Sequence, residues 1–92
     1  MERLYRGIAN IKVETDDIEK LSQEVLDELE CGDVVVKITG KQKHAYQVSY
    51  KGEGSGEGIC ITYVACGYIE TISYDNVDGV WTFNSKDVWQ AE

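Results

Sequence analysis

GICITYVACGYIETISYDNVDGVWTFN, residues 58–84, decides the fold. It divides into GICITYVA (58–65), YIETISY (68–74) and VWTFN (80–84). Each run is rich in β-branched and aromatic residues, which suit a pleated, half-buried surface. Cys66-Gly67 and DNVDG (75–79) supply turns between them. The stretch therefore reads as three consecutive antiparallel strands. Upstream, DVVVKIT (33–39) and HAYQVSYK (44–51) flank GKQK and read as a hairpin, with Tyr46, Val48 and Tyr50 on one face. GEGSGEG (52–58) has almost nothing to pack and reads as a flexible loop.

The pattern changes further upstream. In TDDIEKLSQEVLDELECG, Ile18, Leu21, Val25 and Leu29 recur at helical spacing, with Leu26 beside them. Asp16 and Glu19 fit a capping box, and Gly32 supplies a left-handed stop. This spacing predicts a helix over 17–30. RLYRGIANIKVE (3–14) alternates, with Tyr5, Ala9, Ile11 and Val13 opposite Arg6, Asn10, Lys12 and Glu14, and predicts a half-buried strand. SKDVWQAE (85–92) reads as a tail pinned by Trp89. The order β-α-β-β-β-β-β makes residues 1–92 a single α+β domain. One helix spans about 10 Å, against roughly 25–30 Å for six strands. The expected architecture is a helix on a curled, mostly antiparallel sheet, or on a partly closed barrel. Failing that, a sheet face is left for another subunit.

At 92 residues, a domain of this size buries a modest core. Hydrophobic content of 42% argues for a folded chain. No apolar run approaches the ~18 residues of a membrane span, and no basic-apolar leader opens the chain, so a soluble cytoplasmic protein is expected. Cys31, Cys60 and Cys66 form no CxxC pair and are expected as reduced, largely buried thiols. A Cys60–Cys66 bridge would need an oxidising compartment.

The net charge of −8 is localised. Residues 14–33 hold nine acids and one base, so they account for all of it. Asp16, Asp17 and Glu19 suit a helix N-terminus, but Asp27, Glu28 and Glu30 oppose the macrodipole. That arrangement points to an acidic ridge that docks on a basic surface, with Asp17, Glu24, Asp27, Glu28 and Glu30 as the partner-binding residues. A solvated helix face that keeps a small protein dispersed is the plain alternative. Residues 34–51 are the opposite, with Lys37, Lys41, Lys43 and Lys51 and no acid. Four lysines without arginine beside a strongly acidic segment make a poor nucleic-acid site, so no direct nucleic-acid binding is expected.

Motifs for chemistry are weak. GEGSGEG lacks a Gly-Lys-Ser/Thr ending and carries two carboxylates that repel phosphate. DNVDG lacks the ligand spacing of a calcium loop. His44 is the only imidazole, so a zinc set is poorly served and no nucleophile is evident beside it. No catalytic residue, metal or cofactor is expected, and no membrane partner. The aromatics Tyr46, Tyr50, Trp81 and Phe83 are candidates for a self-association face, because aromatic residues are enriched in interfaces. Tyr46, Tyr50 or Trp81 are also candidates to line a ligand pocket between subunits.

GDVVVKITGKQKHAYQVSYKG followed by GICITYVACGYIETISYDNVDGVWTFNSKDV resembles small uncharacterised accessory proteins of bacteriophages and prophages of Gram-positive bacteria. The likeness runs over residues 32–88, through GDVVVK, VSYKG, IETISYD and VWTFNS. It implies a viral protein that acts by binding, and it implies no activity or site residue. The expected function is a non-enzymatic acidic protein that occupies a basic surface of a host protein in the bacterial cytoplasm. An inhibitor of a defence complex, of the anti-CRISPR kind, is the expected example. The alternatives are a self-assembling virion decoration or fibre subunit, and a protein that sequesters a nucleotide or sugar.

Overall fold

The structure, a computed structural model, describes residues 11–90 and the strand Arg3–Leu4. The strands are β1 (Arg3–Leu4), β2 (Ile11–Thr15), β3 (Val34–Thr39), β4 (Gln42–Lys51), β5 (Gly58–Ala65), β6 (Tyr68–Val77) and β7 (Val80–Gln90). Between β2 and β3 lie a 3-10 turn, Ile18–Lys20, and a short helix α1, Gln23–Glu28. The protein is mostly β: one short helix and a mixed sheet of six strands, with the two-residue β1 at its edge. Strand order follows chain order. The β2–β3 pair is parallel, because the helical segment carries the chain back across the sheet. The remaining pairs are antiparallel.

The ladder register sorts side chains by face. Val35 opposes Tyr46, Val48 opposes Ile61, Ile61 opposes Ile72, and Ile59 opposes Tyr74. These residues share the inner face. Ile18, Leu21, Val25, Leu26 and Leu29 pack onto it and complete one core. The helical segment covers only one end of that face. The other face carries Ser49, Thr62 and Thr71, whose hydroxyls meet across strands at 3.1 and 3.5 Å.

Several sequence expectations change. The sheet is neither closed nor strongly curled. Among the described residues, the helical segment does not reach the end of the inner face that holds Lys37, His44, Tyr63 and Glu70. The predicted helix over 17–30 is broken at Leu21-Ser22, both extended. The cause is Tyr74, whose buried hydroxyl accepts from the Leu21 N–H at 3.1 Å and donates to the Ile18 carbonyl. In a continuous helix that carbonyl would take the Ser22 N–H. The caps move accordingly. Asp17 accepts from the Glu19 N–H, and Ser22 from the Val25 N–H. Gly32 does take the left-handed conformation, at φ +95°.

The predicted strand 3–14 is two strands, β1 and β2, paired antiparallel through Arg3–Glu14 and Leu4–Val13. Tyr5, Arg6, Ala9 and Asn10 lie outside the described residues. The last strand runs to Gln90 rather than ending at 84, and Trp89 is 63% exposed, so it pins nothing. Asp78 and Gly79, at φ 52° and 85°, make the tight turn that the Asp-Gly pair implied. The thiols are free as expected, but Cys31 and Cys66 are exposed rather than buried.

Candidate functional site

The candidate site grows from the anchoring of α1. Gln23 pairs with β7 as a strand would: its Nε2 donates to the Trp81 carbonyl at 2.6 Å, and its Oε1 accepts the Trp81 N–H at 2.7 Å. The Trp81 indole N–H donates to Asp27 Oδ1 at 2.8 Å. From β4, Lys51 reaches the end of α1 and donates its ammonium to the carbonyls of Asp27 and Leu29. A cation there offsets the negative end of the helix.

This anchoring turns the acidic residues outward. Asp17, Glu24, Asp27, Glu28 and Glu30 are all exposed. Asp27, Glu28 and Glu30 come together with Glu53 of the glycine-rich loop, and with Lys12, Cys31 and Lys51, around an open hollow of about 750 Å³. Asp17 and Glu24 do not line it. Glu53 was missed by sequence reasoning, because only the return of β4 past α1 brings the 52–57 loop to this side. The flanking carboxylates are matched internally: Glu14 with Lys43 at 3.3 Å, Asp33 with Lys12 at 3.9 Å, and Glu19 with Lys86 at 3.6 Å. Among the described residues no ion pair is made by Glu24 or Glu30. The hairpin lysines are partly spent in these contacts, Lys43 on Glu14 and Lys51 on the helix end.

The four candidate aromatics are not brought onto one exposed face. Tyr46 and Trp81 are core residues, while Tyr50 and Phe83 are 50% and 40% exposed. The Tyr50 hydroxyl donates to Glu57 at 3.1 Å, and that bond holds the phenol above its ordinary range.

A second cluster, also missed, occupies the end of the inner face away from the helical segment. Glu70 is only 3% exposed there. The Tyr46 and Tyr68 hydroxyls donate to its two oxygens at 2.6 and 2.7 Å, and Lys86 stands 3.7 Å away. Burial favours the neutral acid, but the two hydroxyls and the nearby lysines outweigh it and hold the carboxyl below its usual range. Burial, then the hydrogen bond to Glu70, pushes the Tyr46 hydroxyl far above its usual range. The bond to Glu70, then burial, raises Tyr68. His44 Nδ1 meets the Tyr63 hydroxyl at 3.3 Å. Sequence reasoning missed Glu70 because, apart from Tyr68 two residues before it, its partners are remote in sequence: Tyr46 on β4, beyond β5, and Lys86 on β7.

Among the described residues no group of three or more His, Cys, Asp or Glu side chains is placed to hold a metal ion. No helix among them is long and apolar enough to cross a membrane. Comparison with family models, curated proteins and solved structures gives no match.

Proposed function

We propose that this protein acts by binding, and that its acidic hollow receives a basic surface of a host protein, as an inhibitor of a bacterial defence complex would. The observation that supports this reading is the gathering of Asp27, Glu28, Glu30 and Glu53 around one open concavity at the end of α1. Lysine or arginine side chains entering it exchange water for charge-assisted bonds to carboxylates, one of which, Asp27, is held in place by the Trp81 indole. A basic channel built for nucleic acid presents such side chains, and carboxylates compete with phosphates for them. The action requires no chemistry at the site and takes place inside the bacterial host cell.

The test is affinity capture from a bacterial lysate with wild type and with the triple variant Glu28→Lys, Glu30→Lys, Glu53→Lys. Asp27 is left intact because it holds the Trp81 indole. A specific partner retained by wild type, lost by the variant and released in about 0.5 M salt, where screening shortens to a few Å, supports the reading. Equal capture by a folded variant overturns it.

A second reading is self-assembly, as in a virion or fibre subunit. It is favoured by the eleven-residue edge strand β7 and by an exposed apolar row, Val64–Ile69–Trp89, across β5, β6 and β7. Long exposed edges with apolar neighbours invite pairing with another chain. A monomer in sedimentation at high concentration removes it.

A further inference from the structure

Asp78-Gly79 is the one Asp-Gly pair in the chain, and the chain has no Asn-Gly pair. Such a pair is prone to cyclise, because glycine carries no side chain to shield its amide nitrogen. It forms the β6–β7 turn, between Val77 and Val80, which oppose each other on the ladder. Asp78 is the only residue other than glycine with a positive φ among the described residues, at 52°. Aspartate tolerates that left-handed conformation, which few side chains adopt. Both N–H groups of the turn are tied. The Asp78 N–H donates to Ser55 Oγ at 3.1 Å, and the Gly79 N–H donates to Asn76 Oδ1 at 2.8 Å. Asn76 is itself fixed. It is 8% exposed, its N–H donates to the Glu57 carbonyl, and its carbonyl accepts from the Gly56 N–H, each at 2.8 Å. The 52–57 loop, expected to be flexible, is thereby stitched to the turn.

We propose that Asp78-Gly79 is a site of isoaspartate formation, and that Asn76 and Ser55 hold the reaction in check. The Gly79 nitrogen attacks the carbon of the Asp78 carboxyl in its acid form. The N–C bond forms, the C–OH bond breaks, and the amide proton leaves with the hydroxyl as water. Water then adds to the main-chain carbonyl carbon of the cyclic imide and cleaves its bond to nitrogen. The chain now continues through the side-chain carbon, as isoaspartate. One water is lost and one regained, and no oxidant or co-reactant is needed. The attacking nitrogen is the one whose N–H is held by Asn76. The peptide must swing to bring it against the carboxyl carbon, and that breaks the bond to Asn76 Oδ1. The reaction therefore waits on local opening of the turn. Isoaspartate puts an extra carbon into the backbone, so the two N–H groups no longer fit Ser55 and Asn76, and the 52–57 loop loses its hold. None of this depends on what the acidic hollow binds.

The experiment ages the whole chain in mildly acidic buffer, folded and unfolded in guanidinium chloride, and follows isoaspartate at position 78 by peptide mapping. The product has unchanged mass, a shifted retention and a carboxyl that an isoaspartyl methyltransferase labels. The unfolded chain is expected to react at least about tenfold faster than the folded one. Asn76→Ala removes the acceptor and is expected to speed the folded protein about tenfold, the factor that one buried hydrogen bond is worth. Ser55→Ala, in an exposed loop, is expected to give a smaller rise of about twofold. Val35→Ala weakens the core on β3, separated from β6 by β4 and β5, and is expected to keep the wild-type rate while folded. Should Asn76→Ala fail to fold, the comparison of Ser55→Ala with Val35→Ala still decides. The proposal is overturned by no isoaspartate at position 78 in the unfolded chain, by folded and unfolded wild type reacting alike, by a folded Asn76→Ala at the wild-type rate, or by Val35→Ala accelerating as much as the turn variants.

Discussion

Replacing Glu70 with Gln tests the electrostatics of the inner face. The carboxylate gives one oxygen to the Tyr46 hydroxyl and the other to the Tyr68 hydroxyl, at 2.6 and 2.7 Å, with Lys86 at 3.7 Å. Gln offers a single acceptor oxygen. Tyr46 is buried and has nowhere else to turn, whereas Tyr68 is only half-buried and can reach water. One charge-assisted bond and the attraction of Lys86 are therefore lost, which costs about 1.5–3 kcal/mol at neutral pH. For a domain of this size each kcal/mol lowers Tm by roughly 4–8 °C. The pH dependence carries the sign. The folded carboxyl is held below its ordinary value. Its contribution is thus complete above the unfolded pKa of about 4.3 and is lost as pH falls through the folded one. Urea unfolding followed by tryptophan fluorescence, at several pH values from neutral down, should show wild type more stable than Glu70→Gln at pH 7. The gap should narrow as the pH drops below the ordinary carboxylate range. Equal midpoints at pH 7, or a gap that does not change with pH, would show that the Glu70 charge does not stabilise the fold.

Other consequences are simpler to check. Tyr74→Phe removes the hydroxyl that serves both the Ile18 carbonyl and the Leu21 N–H. It should destabilise by about 1–3 kcal/mol in thermal melts, with the core otherwise unchanged. Leu26→Ala empties a fully buried position between α1 and the sheet and should cost about 2–5 kcal/mol in urea unfolding. Thiol labelling of the native protein should modify Cys31 and Cys66 well before Cys60, which is half-buried in β5. Equal rates would mean that β5 opens readily.

The strands were legible where side chains alternate or are β-branched, as in DVVVKIT and YIETISY. SKDVWQ was not legible as strand, because Lys86 and Asp87 interrupt the apolar pattern. Its place comes from pairing with β6, in register from Val77–Val80 to Tyr68–Gln90. The break in the helix was hidden for a related reason. Local spacing from Ile18 to Leu29 favours a continuous helix, and the residue that interrupts it lies 56 positions away at Tyr74. The carboxylates Asp27, Glu28 and Glu30 could be named from charge alone. Their enclosure by Glu53 and Lys51 could not, since it depends on where β4 returns. The tyrosine cluster around Glu70 follows only once β4, β5 and β6 are in register.

The proposed function needs the carboxylates at the end of α1 to act as a receptor for positive charge. Amide shift mapping with a short arginine-rich peptide, with and without about 0.5 M salt, addresses it directly. Shifts should concentrate at residues 27–31 and 51–53 and be abolished by salt and by the Glu28, Glu30, Glu53 reversal. Shifts scattered evenly over the surface, or unchanged in the reversed variant, would contradict it.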